Sequence, residues 1–270
     1  MAKGSASKHA RGAHRCALVT GASAGIGAAF AARLARDGYD LVLVARNRER
    51  LERLAEHLRK ECSVDVEVLA ADLTEHSELR IIEKLVEDTA LDLVVNNAGF
   101  GTAGAFVKLD ADKEEQEIRL NIVALVRLTR AALPGMVARR RGAIVNVSSM
   151  AAFQPAPYNI TYGATKAFVN SFTEGLHEEL RGTGVTVQAL CPGFTRTEFQ
   201  ERAGIDVSNL PAFVWMTPEA VAEASLAALR RGDLICVPGL ANRALAGLTS
   251  AFPRSLTRRI LGRMSARFAS

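Results

Sequence analysis

The sequence has few of the residues that build metal centres and disulfide frameworks. Its 270 residues include four cysteines, which lie far apart in the chain and form no CxxC pair. This distribution argues against a zinc site and against structural disulfides, and it is typical of a protein of the reducing cytosol. We therefore expect no bound metal and a cytoplasmic location.

Long apolar runs are missing as well. No uninterrupted apolar segment reaches the roughly 18 to 20 residues that cross a bilayer. The first fifteen residues are polar and lack the hydrophobic stretch of a secretory signal. Hydrophobic residues nevertheless make up 49% of the chain, enough for a large buried core.

Acidic residues are absent from both ends of the chain. Residues 1–15 and 241–270 contain no Asp or Glu and hold ten of the 34 Lys and Arg residues. The segment between them carries 24 basic residues against all 29 acidic ones, so the net charge of +5 belongs to the ends. This pattern does not favour nucleic-acid binding by the body of the protein, and it predicts a flexible basic tail at residues 1–14.

Short apolar runs alternate with longer segments of helical period. The predicted strands are Cys16–Thr20, Leu41–Ala45, Val64–Ala70, Leu91–Asn96, Ala143–Ser148, Val185–Leu190 and Leu234–Val237. The predicted helices are Ile26–Arg36, Arg48–Lys60, Ser77–Thr89, Ala111–Ala138, Ala164–Arg181 and Pro218–Arg231. Strict alternation of this kind predicts an α/β fold, a single doubly wound Rossmann domain over residues 15–238 with a parallel sheet of about seven strands and helices on both faces.

A glycine-rich turn follows the first predicted strand and reads TGASAGIG from Thr20 to Gly27. Its glycines permit a tight backbone, and the next helix offers free N–H groups to a phosphate. The predicted contacts are Gly21, Ser23, Ala24, Gly25, Ile26 and Gly27. The same letters also match the GxSxG turn of serine hydrolases with Ser23 as nucleophile, but that turn follows several strands rather than the first.

Tyr162 and Lys166 lie four residues apart in YGATK. On a helix this spacing places both side chains on one face. A free phenol titrates near pH ~10, and a neighbouring cation lowers that value. The pair therefore indicates an acid/base that moves a proton on and off an alcohol or carbonyl oxygen.

Together the motifs resemble the ordered set of the short-chain dehydrogenase/reductase family. They are TGASAGIG, NNAG at Asn96–Gly99, Asn121, Ser149, YGATK and CPGFTRT at Cys191–Thr197. The resemblance extends from about residue 15 to about residue 238. It implies hydride transfer between a nicotinamide and a carbonyl compound or secondary alcohol, with a 3-oxoacyl thioester as an alternative substrate. A non-catalytic dinucleotide-sensing relative stays open as an alternative function.

The resemblance also implies a role for each matching residue. Ser149, thirteen residues before Tyr162, would hold the substrate oxygen, and Tyr162 would exchange the proton. Lys166 would lower the pKa of Tyr162 and bind the nicotinamide ribose, while Asn121 would bend its helix and anchor a water that relays protons. Further cofactor contacts would come from Asp72, Leu73, Asn97, Pro192, Gly193, Thr195 and Thr197.

Arg46 stands at the end of the second predicted strand, where an acid would select NAD(H) by binding the adenosine 2′-hydroxyl. A guanidinium there matches a 2′-phosphate instead. The sequence therefore predicts NADP(H) as the preferred cofactor, with NAD(H) as a possible second one. Asp40 lies too early in the strand to replace the missing acid.

The substrate side and the C-terminus carry weaker signals. We expect an apolar pocket with a lid, formed by Phe199, Leu210, Phe213, Trp215 and Met216 and supplemented by Phe100, Met150 and Phe153. Residues 239–270 are predicted to form a basic amphipathic extension, with Leu256, Ile260, Met264 and Phe268 at helical period. Such a helix binds a membrane surface or a partner groove, or packs on its own subunit or on the second subunit of the homodimer or homotetramer that we expect.

Overall fold

The computed structural model describes residues 15–205, 207 and 211–251. The predicted basic tail, Leu210 and the basic segment after residue 251 lie outside the described residues.

Seven parallel strands form one sheet, in the order β3-β2-β1-β4-β5-β6-β7. The strands are β1 (Arg15–Thr20), β2 (Tyr39–Ala45), β3 (Val66–Ala70), β4 (Leu93–Asn96), β5 (Gly142–Val147), β6 (Val185–Leu190) and β7 (Ile235–Cys236). The helices are α1 (Gly25–Arg36), α2 (Arg48–Cys62), α3 (His76–Asp88), α4 (Ala111–Ile118), α5 (Leu125–Ala138), α6 (Ile160–Glu179), α7 (Phe199–Arg202), α8 (Pro218–Arg231) and α9 (Leu240–Ala251). The predicted doubly wound Rossmann fold is confirmed.

The core lies on both faces of this sheet, because successive side chains of a strand point to opposite faces. Val19 of β1 packs in one cluster with Phe30 of α1 and Val221 of α8. Its neighbour Leu18 packs in the other cluster with Leu128 of α5. Helices cover both faces, which explains why the strands read as continuous apolar runs rather than as alternating patterns.

The predicted helix Ala111–Ala138 is interrupted by a π-helical turn over Arg119–Ala124. The turn contains the predicted site residue Asn121, and π-turns of this kind occur frequently at functional sites. By length and mean hydropathy the whole helix could cross a membrane, but 44% of its most apolar window is buried inside the protein. This burial is typical of a core helix, in agreement with the packing of Leu128.

Candidate active site

A cleft of about 1760 Å³ opens at the carboxyl ends of the strands. It is lined by the segments that follow β1 to β6. The strand order reverses between β1 and β4, so their connections diverge to opposite sides of the sheet and leave a crevice. The fold therefore brings distant motifs of the sequence to one place.

The glycine-rich turn forms one wall of the cleft. Gly21 and Gly25 adopt left-handed φ angles of 65° and 55°, which favour glycine. The Asn97 amide donates to the carbonyls of Thr20 at 2.9 Å and Gly21 at 3.3 Å, so the NNAG segment braces the turn. All the predicted contacts of this wall except Gly27 line the cleft: Gly21, Ser23, Ala24, Gly25 and Ile26.

The first turn of α1 leaves backbone N–H groups without a side-chain partner. Its N-cap, Ala24, makes no side-chain hydrogen bond, and the first N–H groups of any helix have no partner within the helix. Gly27 keeps the helix close to the turn, since a Cβ there would lie 2.4 Å from the Gly21 carbonyl oxygen. The arrangement is a site for an anion such as a dinucleotide pyrophosphate.

Ser149, Tyr162 and Lys166 meet on the opposite wall. Helix α6 begins at Ile160, earlier than predicted, and places Tyr162 and Lys166 in its first two turns. The Ser149 side chain lies within reach of the Tyr162 phenol and acts to lower its pKa, and the Lys166 Nζ lies 5.5 Å from the centre of the Tyr162 ring. All three line the cleft, so the predicted catalytic groups are adjacent.

Asn121 supports this wall from behind. It donates from Nδ2 to the Phe100 carbonyl at 2.9 Å and to Thr165 Oγ1 at 3.1 Å, and its Oδ1 accepts from the Phe100 N–H. A Cβ at Gly99 would lie 2.8 Å from Asn121 Oδ1 and 3.5 Å from Lys166 Nζ. Asn121 therefore joins α6 to the segment after β4, next to the lysine.

The pKa of Tyr162 shifts in the direction opposite to the sequence prediction. Burial, the largest cause, raises it to about 12, although the Ser149 side chain opposes this shift. Burial also lowers the pKa of Lys166 to about 8. The Lys166 ammonium donates to the Val147 carbonyl at 2.8 Å, and its charge is not among the causes that lower the pKa of Tyr162. The predicted lowering of this pKa by the lysine is therefore wrong for the protein without a cofactor, because desolvation of the buried phenol dominates the shift.

The far end of the cleft contains the cationic residues that follow β2. Arg46 is 74% exposed at its side chain and lies 3.6 Å from an Asp72 carboxylate oxygen. Arg50 is held by both carboxylate oxygens of Glu198 at 2.9 Å. Arg46, Asp72 and Leu73 all line the cleft, as the sequence predicts, and Arg46 is the less constrained of the two guanidinium groups.

The segment after β6 and helix α9 close the third side. Pro192, Gly193, Thr195 and Thr197 line the cleft. So do Asn242 and Leu245 of α9, and a Cβ at Gly193 would lie 2.7 Å from the Asn242 amide. Helix α9 is not among the helices predicted from the sequence, although the helical period of LANRALAGLTSA was a signal for it. The boundary predicted at residue 238 therefore does not separate the cleft from helix α9.

The predicted apolar walls are present only in part. Phe199 packs on the Tyr162 ring with centroids 5.2 Å apart, and Phe100 and Met150 line the cleft. Of the other described candidates, Phe153 and Met216 do not line the cleft, Phe213 is 80% exposed, and Trp215 packs against Phe194 with centroids 5.7 Å apart. Of the predicted lid residues that the structure describes, Phe199 therefore lines the cleft, whereas Phe213, Trp215 and Met216 do not.

The serine hydrolase alternative requires a histidine near Ser23. Within the described part of the chain, His57, His76 and His177 all lie outside the lining of the cleft. Ser23 also stands directly after the first strand, as in a phosphate-binding turn. The hydrolase alternative therefore lacks its general base in the described residues.

The comparisons with known proteins agree with this description. Residues 15–207 match the family model of the short chain dehydrogenases. A short-chain dehydrogenase from Sphingobium yanoikuyae, solved in complex with NADPH, is 42% identical and superimposes with a TM-score of 0.80 over 89% of this chain and 97% of its own. The bulky-bulky ketone specific alcohol dehydrogenase from Comamonas testosteroni is 36% identical, with a TM-score of 0.76 over 89% and 95% of the two chains.

A curated relative gives the same result at the level of sequence. The very-long-chain 3-oxoacyl-CoA reductase of Anas platyrhynchos is 34% identical over 78% of this chain and 67% of its own. Fold and cleft define a Rossmann oxidoreductase. The chain belongs to the short-chain dehydrogenase/reductase family, and it is an enzyme of that family.

Proposed function

We propose that the protein is an NADP(H)-dependent oxidoreductase that interconverts an apolar carbonyl compound and its secondary alcohol. The observation that carries the proposal is the adjacency of Ser149, Tyr162 and Lys166 on one wall of a cleft. The uncapped α1 terminus forms the opposite wall.

The residues of the cleft fit a nicotinamide dinucleotide. The α1 N-terminus would hold the pyrophosphate, Lys166 the nicotinamide ribose, and Asp72 with Leu73 the adenine end. The segment from Pro192 to Thr197 would border the nicotinamide. Bound there, this group supplies or accepts a hydride.

The protein's own groups handle the substrate oxygen and its proton. Ser149 donates to the oxygen and fixes the carbonyl beside Tyr162. Because the pKa of Tyr162 is about 12, the phenol keeps its proton at neutral pH and is ready to protonate an oxygen that gains negative charge. Lys166, with a pKa of about 8, is mostly charged at neutral pH. In this protonation state the phenol can act as the general acid of carbonyl reduction.

The preference for NADP(H) is proposed to come from Arg46. Its side chain is exposed at the end of β2, and the similar Sphingobium yanoikuyae enzyme was solved with NADPH. A charge-assisted contact to a phosphate contributes about 1.5–3 kcal/mol, or roughly ten- to a hundred-fold in affinity. Arg46→Asp replaces that contact with a repulsive carboxylate and should reverse the ratio of kcat/KM for NADPH over NADH.

The matched control for this variant is Arg48→Asp on α2. Arg48 undergoes the same change of charge, is exposed at its side chain, and lies outside the lining of the cleft. The ratio of kcat/KM for NADPH over NADH should remain within about twofold of the wild-type value in Arg48→Asp, since an exposed charge at a distance contributes little to cofactor binding. Equal effects of the two substitutions would show that Arg46 does not select the cofactor.

The proposed substrate is an apolar ketone. Phe100, Met150, Phe199 and Leu245 supply apolar walls, and the similar Comamonas testosteroni enzyme is specific for bulky-bulky ketones. A 3-oxoacyl thioester is the second candidate, since the Anas platyrhynchos relative is a very-long-chain 3-oxoacyl-CoA reductase. Lys108 and Lys113 at the cleft rim could pair with the phosphates of such a thioester.

The test is NADPH oxidation over bulky ketones, oxosteroids, aldehydes and 3-oxoacyl thioesters. Turnover of a ketone should fall by about 10²–10⁴-fold in Tyr162→Phe, while NADPH binding measured by fluorescence remains. A Tyr162→Phe protein with wild-type turnover would overturn the mechanism. NADPH binding without turnover of any substrate class would instead favour the dinucleotide-sensing alternative.

A homo-oligomer is also proposed, through the exposed face of α4, the π-turn and α6. Ile118 of α4, Val123 of the π-turn and Phe168 of α6 are 42%, 41% and 40% exposed, and Phe168 stacks on Phe172. Burial of such side chains stabilises an interface. Light scattering should give a dimer or tetramer for the wild type and a smaller species for Phe168→Glu. An unchanged mass for that variant would exclude this face.

A further inference from the structure

Two buried carboxyl groups lie directly behind the catalytic wall. Glu117 of α4 is fully buried and Glu114, one turn earlier, is 8% exposed. Both contact Thr102, which lies in the segment after β4: Glu117 Oε2 lies 2.8 Å from the Thr102 N and 2.8 Å from its Oγ1. Glu114 Oε1 lies 2.5 Å from the same hydroxyl oxygen, and its Oε2 contacts the Thr161 hydroxyl.

The Thr102 hydroxyl cannot donate a hydrogen bond to both glutamates if both are ionised. The Thr102 hydroxyl has one proton to donate, yet carboxyl oxygens of both Glu114 and Glu117 lie within hydrogen-bond distance of its oxygen. The second short contact requires a proton on one of the two carboxyl groups. The cluster therefore holds one more proton than two ionised glutamates would.

The additional proton is more stable on Glu117 than on Glu114. The Glu117 Oε1 is buried and has no hydrogen-bond partner among the described residues, whereas both oxygens of Glu114 contact hydroxyl groups. A buried carboxylate oxygen without a donor is costly. In agreement, burial raises the pKa of Glu117 to about 7, against the effect of the Thr102 hydrogen bonds.

The charge of Glu117 reaches the catalytic pair. Glu114 on its own helix raises the pKa of Glu117, and Lys166 of α6 lowers it. In return, a Glu117 carboxylate raises the pKa of both Tyr162 and Lys166, and Cys191 after β6 acts on both in the same direction. Among the described residues, the titratable groups linked to Glu117 are thus Glu114, Lys166 and Tyr162, while Cys191 acts on the catalytic pair alone.

We propose that Glu117 is a positioning residue whose proton, shared with Glu114 through the Thr102 hydroxyl, sets the acidity of the Tyr162–Lys166 pair. When Glu117 releases its proton to solvent, a negative charge forms behind the pair, and Tyr162 and Lys166 hold their protons to higher pH. The inference rests on the proposed oxidoreductase function for its kinetic consequence, but not for the existence of the proton.

The proton is tested by infrared spectroscopy of the cofactor-free protein. The wild type should show the carbonyl band of a buried carboxylic acid that disappears as the pH rises through about 7, the value to which burial raises the pKa. Glu117→Gln should lack this band, and Glu115→Gln should keep it, since Glu115 is an exposed carboxylate of the same helix paired with Arg119. Absence of the band from the wild type would overturn the proposal.

A second variant covers the case in which Glu117→Gln fails to fold. Thr102→Val has nearly the same shape but lacks the shared hydroxyl, so the two carboxyl groups can no longer share a proton through it. The acid band should then titrate at a different pH from that of the wild type, because the hydroxyl contacts Glu117 in both of its protonation states. A band that titrates at the wild-type pH in Thr102→Val would contradict sharing through this hydroxyl.

The coupling is tested by the pH dependence of kcat/KM for alcohol oxidation, which rises as Tyr162 loses its proton. Removal of a neighbouring like charge in Glu117→Gln should move this rise down by about one pH unit, whereas Glu115→Gln should superimpose on the wild type. Superimposable profiles for all three proteins would refute the coupling. Failure of the wild type to oxidise any alcohol would refute the proposed function instead. The infrared result would still show whether Glu117 is protonated in the folded protein.

Discussion

Glu117→Gln should make the protein more stable, and increasingly so as the pH rises. The pKa of Glu117 is raised from 4.5 to about 7 in the folded protein. A raised pKa stabilises the fold below the unfolded value, and this stabilisation is lost as the pH rises through the folded value. Between about pH 5 and pH 8 the wild type should lose about 2.5 kcal/mol of unfolding free energy at this group. Glutamine stays neutral and avoids this loss.

The assay is urea denaturation of the cofactor-free wild type and the variant, followed by circular dichroism at several pH values. The quantity of interest is the variant's free energy of unfolding minus that of the wild type, which cancels the other titrating groups. It should increase by about 2.5 kcal/mol from about pH 5 to pH 8. Glu115→Gln removes an exposed i,i+4 pair and should change stability by about 0.3–0.5 kcal/mol. A difference for Glu117→Gln that stays constant with pH would refute the reasoning.

Two further predictions concern the glycine turn and the C-terminus. Gly27→Ala places a Cβ 2.4 Å from the Gly21 carbonyl oxygen, and it should cost about 1–3 kcal/mol of stability and weaken NADPH binding in a fluorescence titration. Gly175→Ala in α6, where a Cβ meets nothing within 4 Å, should instead stabilise by about 0.5–1 kcal/mol; equal losses for both would contradict the packing argument. Deletion of residues 253–270 should leave NADPH affinity unchanged and reduce binding to anionic vesicles; loss of NADPH binding by a folded truncated protein would place that segment in the site.

The strands could be predicted from the sequence because both faces of the sheet are covered. A strand such as β1, with Leu18 on one face and Val19 on the other, needs apolar residues at every position, and such runs are visible without tertiary information. The helical period of the sequence continues through the π-turn at Arg119–Ala124, so only the family resemblance, which implies that Asn121 bends its helix, pointed to an irregularity there. The side-chain anchor of the turn, Asn121, bonds to Phe100 and Thr165, and these contacts exist only after α6 and the β4 segment have come together.

The same contrast between local pattern and tertiary contact explains which features of the site could be predicted. Spacing alone predicts that Tyr162 and Lys166 share a helix face, because that depends only on the local period. It does not predict the solvation of either group. Burial under the cleft walls raises the pKa of Tyr162 and lowers that of Lys166. In the sequence Glu117 stands in the polar run KEEQEIR and reads as one of several exposed acids.

The burial of Glu117 depends on Thr102 and on the packing of α4 against α6. Thr102 donates its N–H and lies within hydrogen-bond distance of both buried carboxyl groups. A buried cation and a neighbouring acid that each titrate within about one unit of neutral pH compensate each other. A negative charge on Glu117 favours the ammonium form of Lys166 and the protonated form of Tyr162. The phenol therefore remains a proton donor through the neutral range, as carbonyl reduction requires.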